Sequence, residues 1–301
     1  MKPYRGRFAP SPTGPLHFGS LIAAVGSYLE ARRQAGAWLV RMEDLDRPRE
    51  ATGAADAILR LLEAYGFEWE GAVMRQSGRT AAYTAALEHL RREGAVFPCA
   101  CTRREISDSA LGDTSEPVYP GTCRNGIPPG RSARAVRMRV GDGVVSFEDK
   151  LQGVVEQNLA TEIGDFVIRR ADGVFAYQLA VVVDDFEQGV TDVVRGADLL
   201  ASTPRQILLQ RGLGYPAPQY VHLPVAVNRS GEKLSKQTLA APLDPADAPG
   251  NLRSALRFLG QEPPAELESE SVAALWSWAL THWRLEKIPR RRSLFAEVHV
   301  I

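Results

Sequence analysis

The strongest constraint on this chain lies near its start, where Arg7-Phe8-Ala9-Pro10-Ser11-Pro12-Thr13-Gly14-Pro15-Leu16-His17-Phe18-Gly19-Ser20 runs into Leu21-Ile22-Ala23-Ala24-Val25-Gly26-Ser27-Tyr28-Leu29. Tyr4 to Ala9 reads as a short strand. Three prolines and a glycine bar a helix from Pro10 to Pro15, and Leu21, Ala24, Val25, Tyr28 and Leu29 recur on one helical face. This order of strand, loop and helix puts His17 just ahead of the first helical turn. Unpaired backbone N–H groups and the positive end of the helix dipole make an anion site there, so a histidine among small residues suits a phosphate. Gly36 ends the helix, and Ala37 to Glu43 reads as a buried parallel strand running into Asp44-Leu45-Asp46-Arg47-Pro48, which completes a βαβ unit. Ligands of open parallel sheets bind outside the carboxyl ends of the strands, so Arg7, Glu43 and Asp44 are expected to converge beside the His17 loop.

Neither a Gly-x-Gly-x-x-Gly nor a Walker-type glycine loop occurs, which removes dinucleotide and P-loop readings. Basic and acidic residues balance at 36 each, so a nucleic-acid partner would meet local patches rather than an overall field. Arg103-Arg104, the spaced Arg131, Arg134, Arg137 and Arg139, and Arg290-Arg291-Arg292 are the candidates. Met1 to Pro12 is too polar for a signal peptide, and no apolar run is long enough to span a bilayer. Three cysteines make no disulfide framework, and a reducing cytoplasm is expected. All three lie close together, as Cys99-Ala100-Cys101 and Cys123. They offer three thiolates, whereas a closed structural zinc site takes four ligands. The residues alone leave the fourth open among Tyr119, His89, Asp113 and water.

Amphipathic helices are expected from about Gly53 to Tyr65 and from about Arg79 to Glu93, the second stopped by Gly94. Short β segments follow from Ala133 to Phe147, and Asp172-Gly173 between β-prone runs signals a hairpin. Tyr177 to Asp185 reads as a buried strand ending in two carboxylates. Arg195 could supply the planar, bidentate donor that a substrate carboxylate needs, or could pair with Asp184 or Asp192. Thr203-Pro204 opens a helix with an N-cap and an N1 proline. Tyr220 to Val227 is expected to be the last strand, followed by a turn and the loop Lys233-Leu234-Ser235-Lys236-Gln237, whose lysines suit phosphates. Helices over about Asn251 to Leu259 and Ser271 to Trp283 then precede a basic tail, with Trp276, Trp278 and Trp283 as packing residues.

Taken together, these motifs resemble the class I aminoacyl-tRNA synthetases, and within them the glutamyl branch. The Phe8 to Ser20 run is similar to that family's nucleotide-binding signature, with Ser20 in place of its second histidine. Arg41-Met42-Glu43-Asp44-Leu45-Asp46, Tyr177 to Asp185, Val194-Arg195-Gly196-Ala197-Asp198-Leu199 and Lys233 to Gln237 match further family runs, the last departing at Gln237. The resemblance implies an α/β Rossmann-like parallel sheet in two halves, residues 1–98 and 171–237, around an inserted acceptor-type subdomain at 99–170. A helical C-terminal region covers 238–301. Only 64 residues follow Gln237, so no anticodon-binding domain is expected.

The same resemblance implies His17 and Lys236 as catalytic groups, and Pro10, His17, Gly19, Ser20, Lys233 and Lys236 at ATP, which arrives with Mg2+. It implies Arg7, Ala9, Ser11, Glu43, Tyr177 and Arg195 at glutamate, and Tyr119 as fourth ligand of a structural Zn2+ beside Cys99, Cys101 and Cys123. The short length looks like that of the truncated glutamyl paralogues, which activate L-glutamate with ATP and transfer it to queuosine in tRNA(Asp). The resemblance thus implies a cytoplasmic, monomeric ligase with no membrane partner. Conventional charging of a tRNA 3′ end and an adenylate-forming small-molecule ligase of the same fold are the alternatives.

Overall fold

β1 (Arg5–Phe8) and β2 (Ala37–Met42) pair in parallel, Arg5 opposite Ala37 and Phe8 opposite Val40, with α1 (Phe18–Arg33) crossing between them. The computed structural model describes residues 3–108, 118–234 and 241–296. α1 is buried over most of its circumference, because the sheet lies on one side and the C-terminal helices on the other. Gly26 allows this approach: a Cβ there would sit 2.5 Å from Leu223 Cδ1. Each fully buried leucine, valine or isoleucine in this layer contributes about 1.5–3 kcal/mol.

α2 (Ala54–Ala64) and α3 (Thr80–Arg92) follow as expected, and between them a short strand that the sequence did not signal, β3 (Met74–Arg75), extends the sheet beside β2. β4 (Val96–Cys99) leads through α4 (Arg103–Asp108) to β5 (Ala135–Met138), the hairpin β6 (Val144–Asp149) and β7 (Gly153–Asn158), the short α5 (Leu159–Glu162), and β8 (Phe166–Arg169). β4, β5 and β8 form an antiparallel sheet, whereas β6 pairs in parallel with a strand from much later in the chain. The hairpin expected at Asp172-Gly173 is limited to a bridge between Arg169 and Phe175.

Residues 177–185, expected as a strand, instead begin α6 (Tyr177–Glu187). Leu179 to Val183 are apolar at every position, and such a run fits a strand buried on both faces or a helix buried all round equally well. Here α6 is enclosed by its neighbours, and Asp184, Asp185 and Gln188 fall on one side at helical spacing, each with an arginine partner. β9 (Asp192–Gly196), α7 (Thr203–Leu213) and β10 (Gln219–Leu223) form the second parallel unit. Ser202 rather than Thr203 is the N-cap of α7, and the Thr203 hydroxyl is drawn to the Leu199 carbonyl and to Arg195.

The two parallel units meet at β1 and β9, where the Thr191 N–H donates to the Arg5 carbonyl at 2.9 Å. From this seam the chain winds outward in both directions. The strand expected over Tyr220 to Val227 is divided at Pro224, which has no N–H for the ladder, into β10 and β11 (Val225–Val227). α8 (Ala248–Phe258) and α9 (Val272–His282) pack onto α1, and the Trp283 indole N–H donates to buried Glu30 at 2.8 Å. The basic tail returns as β12 (Ser293–Phe295), parallel to β11. No helix among the described residues is long and apolar enough to cross a membrane.

Candidate functional site

A cavity of about 940 Å³ opens at the carboxyl ends of β1 and β9, the switch point where open parallel sheets take their ligands. Arg7, Ala9, Pro10, Ser11, His17, Gly19, Ser20, Glu43, Tyr177, Arg195 and Lys233, drawn from five separated segments, all line it. Lys236 and Asp113 lie outside the described residues. Asp44 turns away, accepting from the N–H and hydroxyl of Ser77, both at 2.8 Å.

One end of the cavity is a buried charge lattice. Arg7 Nε donates to Asp185 Oδ1 at 3.1 Å and Arg41 Nη2 donates to the same oxygen at 2.7 Å, so the two guanidinium groups are held in place by one carboxylate. Burial opposes ionisation of Asp185, but Arg7 and Arg41 hold its carboxyl below the usual range. Glu43 lies 3.7 Å from Arg41 Nη2 with its side chain 11% exposed. Burial pushes its carboxyl up to about 7 despite Arg41 and Arg7. A carboxylate in this state gains most from an incoming cation. The Tyr177 hydroxyl, at the start of α6, is 3.5 Å from Arg195 Nη1. Arg195 pairs with neither Asp184 nor Asp192. It is held by Thr203 Oγ1, Gln206 Oε1 and His222 Nε2.

The other end is made by the β1–α1 loop. His17 is the N-cap of α1 with extended backbone, and its carbonyl accepts from the Ser20 and Leu21 N–H groups. Gly19 makes the approach close: a Cβ would lie 3.1 Å from His17 Cε1 and 3.2 Å from the Leu234 carbonyl oxygen, so either neighbour would have to give way. The His17 and Lys233 motifs, more than 200 residues apart by numbering, therefore meet across a glycine. Lys233 Nζ lies 2.7 Å from Asp198 Oδ2.

Cys99, Cys101 and Cys123 bring their sulfur atoms within 4.8 Å of one another, and His89 does not join them. The Cys101 and Cys123 sulfurs are 3.6 Å apart. Four ligands about 2.3 Å from a tetrahedral zinc would hold their sulfurs about 3.7 Å apart, so the spacing suits that ion. The Tyr119 hydroxyl lies 3.5 Å from Cys99 Sγ and 3.7 Å from Cys101 Sγ, and accepts from the Cys123 N–H at 2.9 Å. Arg137, a candidate RNA contact from the sequence, is instead buried behind this cluster. Its Nε is 3.3 Å from Cys99 Sγ and its guanidinium covers the Tyr119 ring.

Sequence reasoning passed over Arg41, Asp185, Asp198, Asp149 and His222. Arg41 carried a usable signal, a charge inside an apolar strand, since a buried arginine requires a buried partner. Asp185 and Asp198 stood in runs the sequence singled out, though without their partners, and Asp149 and His222, paired across 73 residues, carried no signal.

Residues 4–263 match the family model for the catalytic domain of class I tRNA synthetases (E and Q). A relative from Aromatoleum aromaticum, named glutamyl-Q tRNA(Asp) synthetase, is 61% identical over 289 residues, 96% of this chain and 91% of the relative. Relatives of that name from Dechloromonas aromatica and Pseudomonas aeruginosa are 61% and 52% identical, each alignment covering 97% of the relative and 96% and 97% of this chain. Among solved structures, a glutamate-tRNA synthetase from Elizabethkingia anophelis superposes with a TM-score of 0.79 at 25% identity. That match covers 98% of this chain and 68% of the other.

Proposed function

The chain belongs to the class I tRNA synthetases of the E and Q type, and from that premise we propose that it activates L-glutamate with ATP and transfers the glutamyl group to queuosine in tRNA(Asp). Family membership makes it an ATP-dependent ligase, and relatives at 52–61% identity bear the name of that reaction. The observation that carries the reading is one cavity holding both an arginine-and-carboxylate lattice and a phosphate-type helix start.

In this reading Arg7 and Arg195 face the substrate's carboxylates, Glu43 its ammonium group, Tyr177 lies between them, and the Ala9 to Ser11 backbone forms the floor. Pro10, Gly19 and Ser20 leave room for the nucleotide. A glutamate carboxylate oxygen attacks the α-phosphate of Mg-ATP in line, and pyrophosphate leaves. His17 and the first N–H groups of α1 stabilise the charge on the α-phosphate, while Lys233 and Lys236 neutralise the departing phosphates. Mg2+, arriving with ATP, would add cationic screening of the same oxygens. A hydroxyl of the queuosine cyclopentenediol then attacks the mixed anhydride, releasing AMP, and no protein nucleophile is needed. The reaction runs in the cytoplasm on a monomer. Cys99, Cys101, Cys123 and Tyr119 would hold a structural zinc, which would tie the β4–β5 region together.

The deciding experiment offers labelled glutamate, ATP and magnesium with tRNA(Asp) carrying either queuosine or unmodified guanosine. Label is expected on the queuosine form alone; equal label on both would move the acceptor to the 3′ end. A second expectation concerns pH. Only ionised Glu43 attracts the substrate's ammonium group, and its carboxyl is pushed up to about 7. kcat/KM for glutamate should therefore fall about tenfold for each pH unit below 7, reporting the free enzyme. Glu43→Gln should lower kcat/KM and abolish that limb of the profile. A limb that survives in Glu43→Gln would assign the titration to another group.

A further inference from the structure

Three neighbouring strands place a second buried set of groups behind the cavity. In the parallel register His222 of β10 stands opposite Arg195 of β9, and Tyr220 of β10 opposite Asp149 of β6. Alternation along β10 puts residues 220 and 222 on one face, so Asp149, His222 and Arg195 form a row across β6, β10 and β9. The Asp149 and His222 side chains are wholly buried, too deep to touch substrate.

The hydrogen bonds along this row have one consistent direction. Asp149 Oδ1 accepts from the backbone N–H groups of Leu151 and Gln152 at 3.0 and 2.8 Å, and Oδ2 faces His222 Nδ1 at 2.7 Å. A carboxylate only accepts, so the imidazole proton belongs on Nδ1. His222 Nε2 then carries a lone pair, which it presents 3.1 Å from Arg195 Nε. Arginine only donates, and a proton on Nε2 would set two donors face to face. The Thr203 hydroxyl, 3.2 Å from Nε2, and Gln206 Oε1 complete the arrangement by holding Arg195 Nη2 at 2.8 Å each. Nη1 is the terminal nitrogen turned to Tyr177 and the cavity.

We propose that Asp149 and His222 are positioning residues that set the tautomer behind Arg195, and through it the angle at which the guanidinium meets the substrate's carboxylate. This rests on the assignment of Arg195 to glutamate. A guanidinium recognises a carboxylate by a flat fork, so rotation about its long axis costs affinity even when the charge stays. Burial and the Arg195 charge, opposed by Asp149, push the His222 imidazole down to about 4, which keeps it a neutral acceptor in the working enzyme.

The test begins with the unaltered protein labelled with 15N-histidine, the His222 signal being assigned by its loss in His222→Gln. A proton on Nδ1 is expected, and a proton on Nε2 overturns the proposal without any variant being needed. Asp149→Asn supplies the kinetic arm, because its amide can donate to Nδ1 and drive the proton to Nε2. In ATP–pyrophosphate exchange with tRNA present, it should raise KM for glutamate about tenfold, from loss of an oriented charge-assisted contact, and leave KM for ATP unchanged. His222→Gln, whose Oε1 can replace the Nε2 acceptor, should retain tighter glutamate binding than His222→Leu at matched folding by thermal melt. Equal KM rises for both substrates, or equal effects of the Gln and Leu variants, would reduce the row to packing. Arg195→Gln separates the two layers. An unchanged glutamate KM in that variant removes Arg195 from the pocket, whereas a raised one alongside a silent Asp149→Asn removes only the relay.

Discussion

His17→Ala is expected to slow glutamate adenylation by about 10²–10³-fold, or roughly 3–4 kcal/mol of transition-state stabilisation, the usual cost of deleting one preorganised donor. The effect is expected in kcat rather than in KM for ATP, because charge at the α-phosphate grows as pyrophosphate leaves. His17 caps α1 with an extended backbone, and its ring lies against Gly19, where a Cβ would come within 3.1 Å of Cε1. Alanine keeps the helix start intact, since the His17 side chain makes no capping bond and its carbonyl still accepts from Ser20 and Leu21. Rapid-quench measurement of AMP-glutamate formation is the check, and a rate within threefold of the parent would take His17 out of the chemistry.

Cys123→Ser, or exposure to a strong chelator, should loosen the module around Cys99 and Tyr119 while the main sheet stays folded. Among the described residues the local apolar cluster is small, comprising Phe97, Cys99, Ala100, Tyr119 and Cys123 with three partly buried neighbours. Structural zinc is worth about 10–16 kcal/mol in small peptides, far more than such a cluster supplies by burial. Zinc content should fall from one per chain towards none, with early proteolysis confined to residues 99–135 and a separate low-temperature transition. Purified parent protein that contains no metal, or a variant that melts like the parent, would remove the ion from this account.

The β1–loop–α1–β2 unit was legible because every signal in it is local: prolines, a periodic helix and a buried strand within 40 residues. The cavity was legible through motif residues, and Arg7, Glu43, Tyr177 and Arg195 do converge. Element type was another matter at Tyr177 to Asp185, where a wholly apolar run hid the helical period. Tyr177 nevertheless reaches the cavity, because it heads α6 rather than because it lies on a strand. Partnerships could not be read at all. Arg7 finds Asp185 across 178 residues, and His222 finds Asp149 across 73. Nothing in composition or spacing pairs such groups until β-register and helix packing bring them together.

The burial of α1 beneath α8 and α9 also has a meaning in time. Glu30, in the chain's first helix, receives its indole partner from Trp283, 253 residues later. At the usual pace of about 5–20 residues per second, a ribosome needs roughly 13–50 s to cover that interval. α1 is thus among the earliest elements made and among the last to be roofed. Until then its apolar upper face stays uncovered, so any need for a chaperone during synthesis is expected to fall on the segment that, in the proposed reading, later holds the nucleotide.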